Sequence, residues 1–258
     1  MTHKPILALF ISLVLLAAIA VSATVVFTTE PPARLVCDIW PPYQFNSEGR
    51  LAGFSVEMVK AVYQRMGTPI RSLESFPWKR AVNILESGNA EGLFSVNRTR
   101  DRDIFARFPE EPLFEAPWII WTRKESTVRT LDDLKGKRVG VVIGYSYTPE
   151  FWEFIQTYCK VEKVTTDDIN LHKLANRRLD AVAAEYGNAR YIIRDRHLHG
   201  LTPHRDIVIK KDGLYIMFNR RSVGDAFVRR FSKALKAFKA TPEYEALRRK
   251  YLAGPDTP

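Results

Sequence analysis

The chain has 258 residues, of which 46% are hydrophobic and 26% are charged, so it is long enough for one large domain or for two lobes of about 100 residues each. This composition excludes collagen-like, coiled-coil and disordered chains, and two cysteines are too few for a disulfide framework. The formal net charge of +10 raises nucleic acid, an anionic membrane or an acidic ligand as partners. The sequence contains no nucleic-acid-binding motif, and we therefore predict no nucleic acid partner.

Much of the surplus positive charge lies near the carboxyl terminus, where residues 220–250 contain ten Lys and Arg residues and three acids. Apolar residues recur at helical spacing within this segment, which predicts an amphipathic helix with a basic outer face. They are Phe227, Phe231, Leu235 and Phe238. Two interpretations of the basic face are open: it only solvates the protein, or it docks on an acidic partner or an anionic lipid surface.

The amino-terminal residues have the three parts of a secretory signal peptide: a basic start, an apolar stretch over 6–20 and small residues at 21–23. We therefore predict a signal peptide over 1–23, with cleavage after Ala23. The uncharged run continues to Thr28 and is long enough to cross a bilayer, so an uncleaved membrane anchor is the alternative. Both interpretations place the remainder of the chain in the periplasm.

After residue 32, short apolar runs alternate with amphipathic stretches, which is the pattern of an α/β protein. The first series consists of a strand over 35–40, a helix over 54–66, a helix over 77–87, a strand over 92–96 and a strand over 118–122. Gly67 and Gly88 follow the two helices, as expected for residues that end a helix.

A second α/β series begins after residue 130, and its first long helix carries Thr148 as a cap and Pro149 in the first turn. The predicted elements are helices over 131–134, 149–158, 167–175, 188–194, 226–239 and 243–251, and extended segments over 138–143, 163–165, 179–184 and 207–218. We predict two α/β lobes, with the carboxyl-terminal helices returning to the first. The predicted boundaries give lobe 1 residues 33–119 and 217–258, and lobe 2 residues 120–216.

Four segments in this order resemble one family of exported proteins. They are Trp40-Pro41-Pro42-Tyr43 with Gly53-Phe54, residues 78–88, Thr99-Arg100-Asp101-Arg102 before Phe108, and residues 131–144 with Leu179-Asp180-Ala181-Val182. The chain is similar to the periplasmic solute-binding proteins of ABC importers, family 3, the polar amino acid type. The resemblance implies a two-lobed type II periplasmic-binding-protein-like fold, whose lobes close on a ligand cleft by hinge motion about strands crossing near 118–122 and 213–218. It also implies a monomer that binds an amino acid or related carboxylate, uses no cofactor and delivers its ligand to a membrane permease.

The same resemblance assigns candidate ligand-binding residues in the first lobe. Arg102 occupies the place of the arginine that grips the ligand's α-carboxylate, a role that suits the two parallel donors of a guanidinium. A solvated arginine cluster is the alternative. Trp40, Tyr43 and Trp78 match aromatic side chains that cover the ligand, and buried core aromatics are the alternative.

The remaining candidates lie at strand ends. Ser95 and Asn97 close the strand before Arg102 and are expected to contact the ligand or to form a turn. Ser146 matches a hydroxyl position at a strand-to-helix junction, where free N–H groups favour a carboxylate. Glu185 stands where the family usually carries an aspartate that pairs with the ligand's α-ammonium, and a surface glutamate is the alternative.

A metal site and an enzymatic function are the remaining hypotheses. His197, His199 and His204 suggest a metal site, but neither an acid nor a cysteine completes a ligand set, so we predict no metal. The preferred function is a binding protein that performs no chemistry. One alternative resembles cyclohexadienyl dehydratase, with Glu185 as the acid-base group. The other is a ligand-sensing module that reports to a receptor.

Overall fold

The computed structural model describes residues 32–252, in which strands and helices alternate as expected for an α/β protein. The strands are β1 (Ala33–Cys37), β2 (Phe45–Ser47), β3 (Arg50–Ala52), β4 (Ile70–Ser75), β5 (Gly92–Asn97), β6 (Ala106–Arg107), β7 (Phe114–Arg123), β8 (Arg138–Val142), β9 (Lys160–Val164), β10 (Ala181–Glu185) and β11 (Leu201–Asn219). The helices are α1 (Phe54–Arg65), α2 (Trp78–Glu86), α3 (Arg100–Phe105), α4 (Pro149–Tyr158), α5 (Asp167–Ala175), α6 (Tyr186–Asp195), α7 (Asp225–Lys239) and α8 (Pro242–Leu252), with a 3-10 turn at Asp132–Leu134.

One large sheet contains most of these strands, in the order β4-β1-β5-β11-β7-β10-β8-β9, and β6 pairs with β11. The first half of the sheet (β1, β4 and β5) is parallel, and so is the second half (β8, β9 and β10). The long strands β7 and β11 join the halves through antiparallel pairing with each other, with β5 and with β10. Two parallel α/β units are thus connected by a two-stranded ribbon.

The ribbon extends beyond the segments predicted for it. β11 begins at Leu201 rather than at residue 207, because its first part pairs with β7 while its last part pairs with β5. Polar and charged residues interrupt the apolar pattern of this first part, so hydrophobic alternation does not reveal it. The lobe boundaries predicted after residues 119 and 216 fall inside β7 and β11 and stay a prediction.

Local signals explain where several helices begin. The Thr148 side chain accepts a hydrogen bond from the Phe151 amide at 3.2 Å, and Pro149 occupies the first turn of α4, as predicted. Helix α7 buries Phe231 and Phe238, and the ring of Phe231 lies 5.8 Å from that of Tyr63 on α1. Helix α7 therefore packs against α1.

Within residues 32–252, no helix combines the length and the apolar character that crossing a membrane requires. The predicted signal peptide over 1–23 and its cleavage site lie outside the described residues. In the same described range, no three His, Cys, Asp or Glu side chains are grouped so that they could hold a metal ion.

Candidate ligand-binding site

Two adjoining cavities lie between the halves of the sheet. The inner cavity, of about 20 Å³, is lined by Asp38, Trp40, Trp78, Ser95, Asn97, Arg102, Trp118, Tyr145, Ser146 and Leu214. The outer cavity, of about 680 Å³, shares Asp38, Trp40, Trp78 and Tyr145 with it and adds Asp167 and Asp168 among its walls. Six of the eight predicted site residues therefore surround the inner cavity, and the exceptions are Tyr43 and Glu185.

Two indole groups connect the walls of these cavities. Trp78, the first residue of α2, donates from Nε1 to the carbonyl of Gly144, which follows β8, at 3.0 Å. Trp40 donates to Oδ2 of Asp167, which follows β9, at 3.3 Å. Gly144 has φ of +80°, and a Cβ there would lie 3.2 Å from the indole of Trp78. Glycine at this turn thus permits the close approach, and the two halves meet over the inner cavity.

Arg102 brings a positive charge to the inner cavity. Its Nη1 donates to the Asn97 carbonyl at 2.7 Å, and its guanidinium lies 5.1 Å from the centre of the Trp78 ring. Burial lowers the pKa of Arg102 to about 10. Within the described part of the chain, no carboxylate lies within ion-pair distance of this guanidinium, whereas neighbouring Arg98 pairs with Asp103 at 2.9 Å. Arg102 is therefore available to bind an anion, unlike a solvated arginine in an ion pair.

Ser95 and Asn97 form a preformed polar wall beside Arg102. Both are buried in strand β5, so neither forms the turn that was the alternative. Ser95 has φ of +62°, opposite a register irregularity in β11, and it donates to Oε1 of Gln44 at 2.8 Å. A left-handed residue within a strand is strained, and such positions cluster at functional sites. Asn97 donates from Nδ2 to the Gly213 carbonyl at 3.3 Å.

Two buried carboxyl groups, those of Asp38 and Asp167, bring negative charge to the wall of the outer cavity. Asp38 accepts a hydrogen bond from Gln44 at 3.0 Å, and Asp167 accepts one from the Tyr145 hydroxyl at 3.2 Å through Oδ2. Oδ1 of Asp167 is buried and has no hydrogen-bond partner among the described residues. Burial raises the pKa of Asp38 to about 6 and that of Asp167 to about 7, and the charge of Asp38 adds to the shift of Asp167. This wall is suited to a cation, which would restore the charge balance.

Asp38 and Asp167 were not among the residues predicted for the site. Asp167 looked like a first-turn acid of a helix, a position that acids favour without any ligand. The position of both residues in the strand order could have identified them. Asp38 follows β1 and Asp167 comes three residues after β9. Each of these strands is paired in parallel with a neighbouring strand of the sheet. Ligands in open α/β sheets bind at the carboxyl ends of such strands.

Tyr43 and Glu185 lie together in a different place. Glu185 is buried and caps helix α6, accepting from the amides of Gly187 and Asn188 at 2.7 Å each. Burial raises the pKa of Glu185 to about 7, and the Tyr43 hydroxyl interacts with its carboxyl group. Glu185 is thus not a surface glutamate, and it does not line the cavity that contains Arg102. Its side chain is long enough to turn back onto the first amides of α6.

The buried carboxyl groups of Asp38 and Asp167 predict how the stability of the ligand-free protein depends on pH. Their folded-state pKa values of about 6 and about 7 exceed the value of about 3.9 for an unfolded Asp, so the folded state retains protons that the unfolded state has released. Their contribution to stability is complete below about pH 4 and is lost as pH rises through about 6 to 7. Asp167→Asn should flatten this decline by up to about 1.4 kcal/mol per pH unit.

Chemical denaturation at a series of pH values measures this effect. Asp168→Asn is the matched control, because that side chain is 41% exposed and pairs with Arg196 at the surface. We expect the control to retain the wild-type slope. An Asp167→Asn variant with the wild-type slope would contradict the protonation of Asp167 in the folded protein.

Comparisons with known proteins agree with this geometry. Residues 35–254 match the bacterial extracellular solute-binding proteins, family 3, and the chain belongs to that family. It is 26% identical over 218 residues to the arginine-binding extracellular protein ArtP of Bacillus subtilis (strain 168), covering 83% of each chain. It is 26% identical over 243 residues to the histidine-binding periplasmic protein of Escherichia coli (strain K12), covering 90% of this chain and 92% of that one. The solved structure of an ancestral arginine-binding protein bound to arginine has a TM-score of 0.74, with 22% identity over 87% of this chain and 100% of that one.

These findings confirm the predicted family and fold class. The chain has the two-lobed type II periplasmic-binding-protein-like fold, and the halves of the sheet belong to its two lobes. The inner and outer cavities occupy the cleft between the lobes. The protein is an extracytoplasmic solute-binding protein.

Proposed function

We propose that this protein captures a cationic amino acid, or a close relative of one, in the periplasm and delivers it to the membrane permease of an ABC importer. The observation that carries the proposal is the charge arrangement of the cleft. Arg102 is available for a carboxylate, and buried Asp38 and Asp167 are available for cationic groups. A ligand with a carboxylate, an ammonium and a positively charged side chain satisfies these groups together.

The aromatic side chains of the cleft favour the same ligand class. The face of Trp40 stacks on Trp118 with ring centres 5.9 Å apart, and Trp78 meets Tyr145 edge-on at 6.3 Å. Aromatic faces attract ammonium and guanidinium groups and pack well on aliphatic stems. Ser95, Asn97 and Ser146 supply polar contacts near Arg102. Tyr43, whose ring centre lies 4.7 Å from that of Trp40, and Glu185, which interacts with Tyr43, have a supporting role.

The acidic character of the outer cavity extends the preference for cations. Its walls include Asp168 and Asp195 besides the two buried aspartates. Among its lining residues within 32–252, only Arg196 carries a positive charge. A cleft lined mainly by one sign of charge raises the local concentration of ligands with the opposite charge. Curated relatives whose names state that they bind arginine or histidine support the same class.

We further propose that the protein is monomeric and performs no chemistry. It would reach the periplasm through the signal peptide predicted over 1–23. Both Glu185 oxygens accept amide hydrogens of α6, an arrangement that suits a structural cap better than a group that transfers protons in the cleft. The basic side chains of α7 lie within residues 229–239. They form either a solvated face or the surface that meets the permease.

A set of three ligands tests the proposal by isothermal titration calorimetry. L-arginine carries all three charges, L-citrulline lacks the side-chain charge, and agmatine lacks the carboxylate. We expect L-arginine to bind more tightly than either analogue by about 10-fold or more, because each analogue leaves a buried charge without its partner. L-lysine and L-histidine extend the screen. Failure of every cationic amino acid to bind, or equal affinity for L-arginine and agmatine, would overturn the proposal.

A further inference from the structure

A second large cavity lies beside the strands that connect the lobes. This cavity, which we call the hinge cavity, has a volume of about 340 Å³. Its walls come from β7 at Ala116 and Pro117, from β11 at Val208, from α6 at Arg190, and from α8 at Tyr251. Elements from both ends of the chain thus enclose a space large enough for a small organic molecule.

A pair of rings separates the hinge cavity from the ligand cleft. Tyr43 lines the hinge cavity, Trp40 lines the cleft, and their ring centres lie 4.7 Å apart. Tyr43 also stacks on Phe114 at 4.3 Å, and both tyrosine and tryptophan are buried. A ligand of the hinge cavity would therefore be distinct from a solute in the inner cavity, with which the hinge cavity shares no lining residue, whereas Tyr191 lines both the hinge cavity and the outer cavity.

Four tyrosine rings contribute to the walls of the hinge cavity. Tyr186, Tyr191 and Tyr251 join Tyr43 in its lining. The rings of Tyr191 and Tyr251 both contact Phe45, at 6.0 and 6.3 Å. Val208 lines the cavity and is 51% exposed, so its aliphatic side chain is accessible to a ligand there. Such walls suit a flat, apolar ring system.

The charges around the hinge cavity favour an anion. Arg190 is half-buried, and no hydrogen bond, ion pair or ring contact of its side chain is found within residues 32–252. Arg194 lies 5.6 Å from the ring of Tyr191. The carboxylates in the lining are already engaged: Glu185 caps α6, and Glu115 pairs with Lys211 at 3.6 Å. A ligand carboxylate would therefore give the Arg190 guanidinium a partner that residues 32–252 do not supply.

We propose that the hinge cavity is a second binding site, which takes an aromatic carboxylate. The aromatic body packs on the tyrosine rings and Val208, and the carboxylate faces Arg190. This site does not depend on which solute the cleft binds, because Arg102, Asp38 and Asp167 take no part in it.

The test uses 2-naphthoate as the anionic probe and 2-naphthamide as its uncharged analogue, titrated into the full chain and followed by calorimetry. We expect 2-naphthoate to bind the wild-type protein and Arg190→Gln to weaken it by about 10-fold or more, since a charge-assisted hydrogen bond is lost. 2-Naphthamide should bind more weakly, and its affinity should not change in Arg190→Gln. Arg229→Gln, on the exposed face of α7, is the matched control and should leave both affinities unchanged.

A second pair of variants tests the same site without removing the arginine. Val208→Glu adds a negative charge at the half-exposed border of the cavity and should weaken 2-naphthoate, whereas Val208→Gln, of similar size, should bind it about as the wild type does. Arg102→Ala should not affect the probe. The proposal is overturned if the wild type shows no binding of 2-naphthoate at probe concentrations up to about 1 mM. It is also overturned if Arg190→Gln and Val208→Glu bind it as tightly as their controls, or if Arg102→Ala abolishes binding.

Discussion

Arg102→Ala should weaken the binding of L-arginine by about 30-fold or more. Removing one partner of a buried, hydrogen-bonded charge pair costs about 2 to 5 kcal/mol, because the other charge remains desolvated without compensation. In this cleft that other charge is the ligand carboxylate, and no carboxylate of the described residues competes for the Arg102 guanidinium. Calorimetry on the variant and the wild type measures the loss.

Agmatine distinguishes loss of the carboxylate contact from a general disturbance of the cleft. It lacks the carboxylate, so its affinity should change little in Arg102→Ala, although the variant also loses the hydrogen bond from Arg102 to the Asn97 carbonyl. Arg100→Ala is the matched control, because Arg100 lies on the same short helix α3 and is exposed. Unchanged L-arginine affinity in Arg102→Ala would remove the carboxylate clamp from the proposed function.

Asp167→Asn should weaken L-arginine by roughly 10- to 100-fold, since hydrogen bonds to charged groups are worth about 1.5 to 3 kcal/mol. The substitution preserves the shape of the side chain and removes its charge. Asp167 has an oxygen with no hydrogen-bond partner among residues 32–252, and this oxygen is the one available to a ligand cation. Calorimetry above pH 7, where the free carboxyl is ionised, gives the clearest contrast, because its pKa is about 7.

Two L-arginine analogues identify the charge that Asp167 contacts. 5-Guanidinopentanoate lacks the α-ammonium, and L-citrulline lacks the charge of the side chain. The analogue without the contacted charge should be the less sensitive of the two to Asp167→Asn. Asp168→Asn, which removes a carboxylate already paired with Arg196, should weaken both analogues less than Asp167→Asn does. An equal loss for both analogues would mean that Asp167 acts only through its hydrogen bonds to Trp40 and Tyr145.

Local sequence signals predicted the secondary structure well where one residue determines the geometry. Thr148 and Pro149 predicted the start of α4, and the family pattern brought Arg102 and Ser146 to one cavity. The start of a helix depends on residues that are neighbours in the chain. The meeting of Arg102 and Ser146 depends on the order of strands, which the resemblance to a known fold supplied. The start of β11 at Leu201 could not be predicted in this way, because long-range pairing with β7 determines it.

The roles of the acidic residues depended on side-chain direction, which the sequence does not contain. Asp167 and Asp168 are adjacent in the chain, yet one is buried against Trp40 and the other forms a surface ion pair with Arg196. Glu185 was expected opposite Arg102, but its carboxylate turns toward the amides at the start of α6. Glu185 is the N-cap residue of α6, and its carboxylate accepts hydrogen bonds that the first turn of the helix leaves unsatisfied.

The ribbon of β7 and β11 has a consequence for the thermodynamics of ligand capture. The two lobes are connected by strands that are hydrogen-bonded to each other along most of their length, not by independent flexible linkers. A flexible linker would let the lobes explore many orientations, and ordering them would consume binding free energy as lost conformational entropy. A paired ribbon restricts the lobes beforehand to a narrow family of bends and twists. More of the free energy of ligand contact therefore appears as affinity.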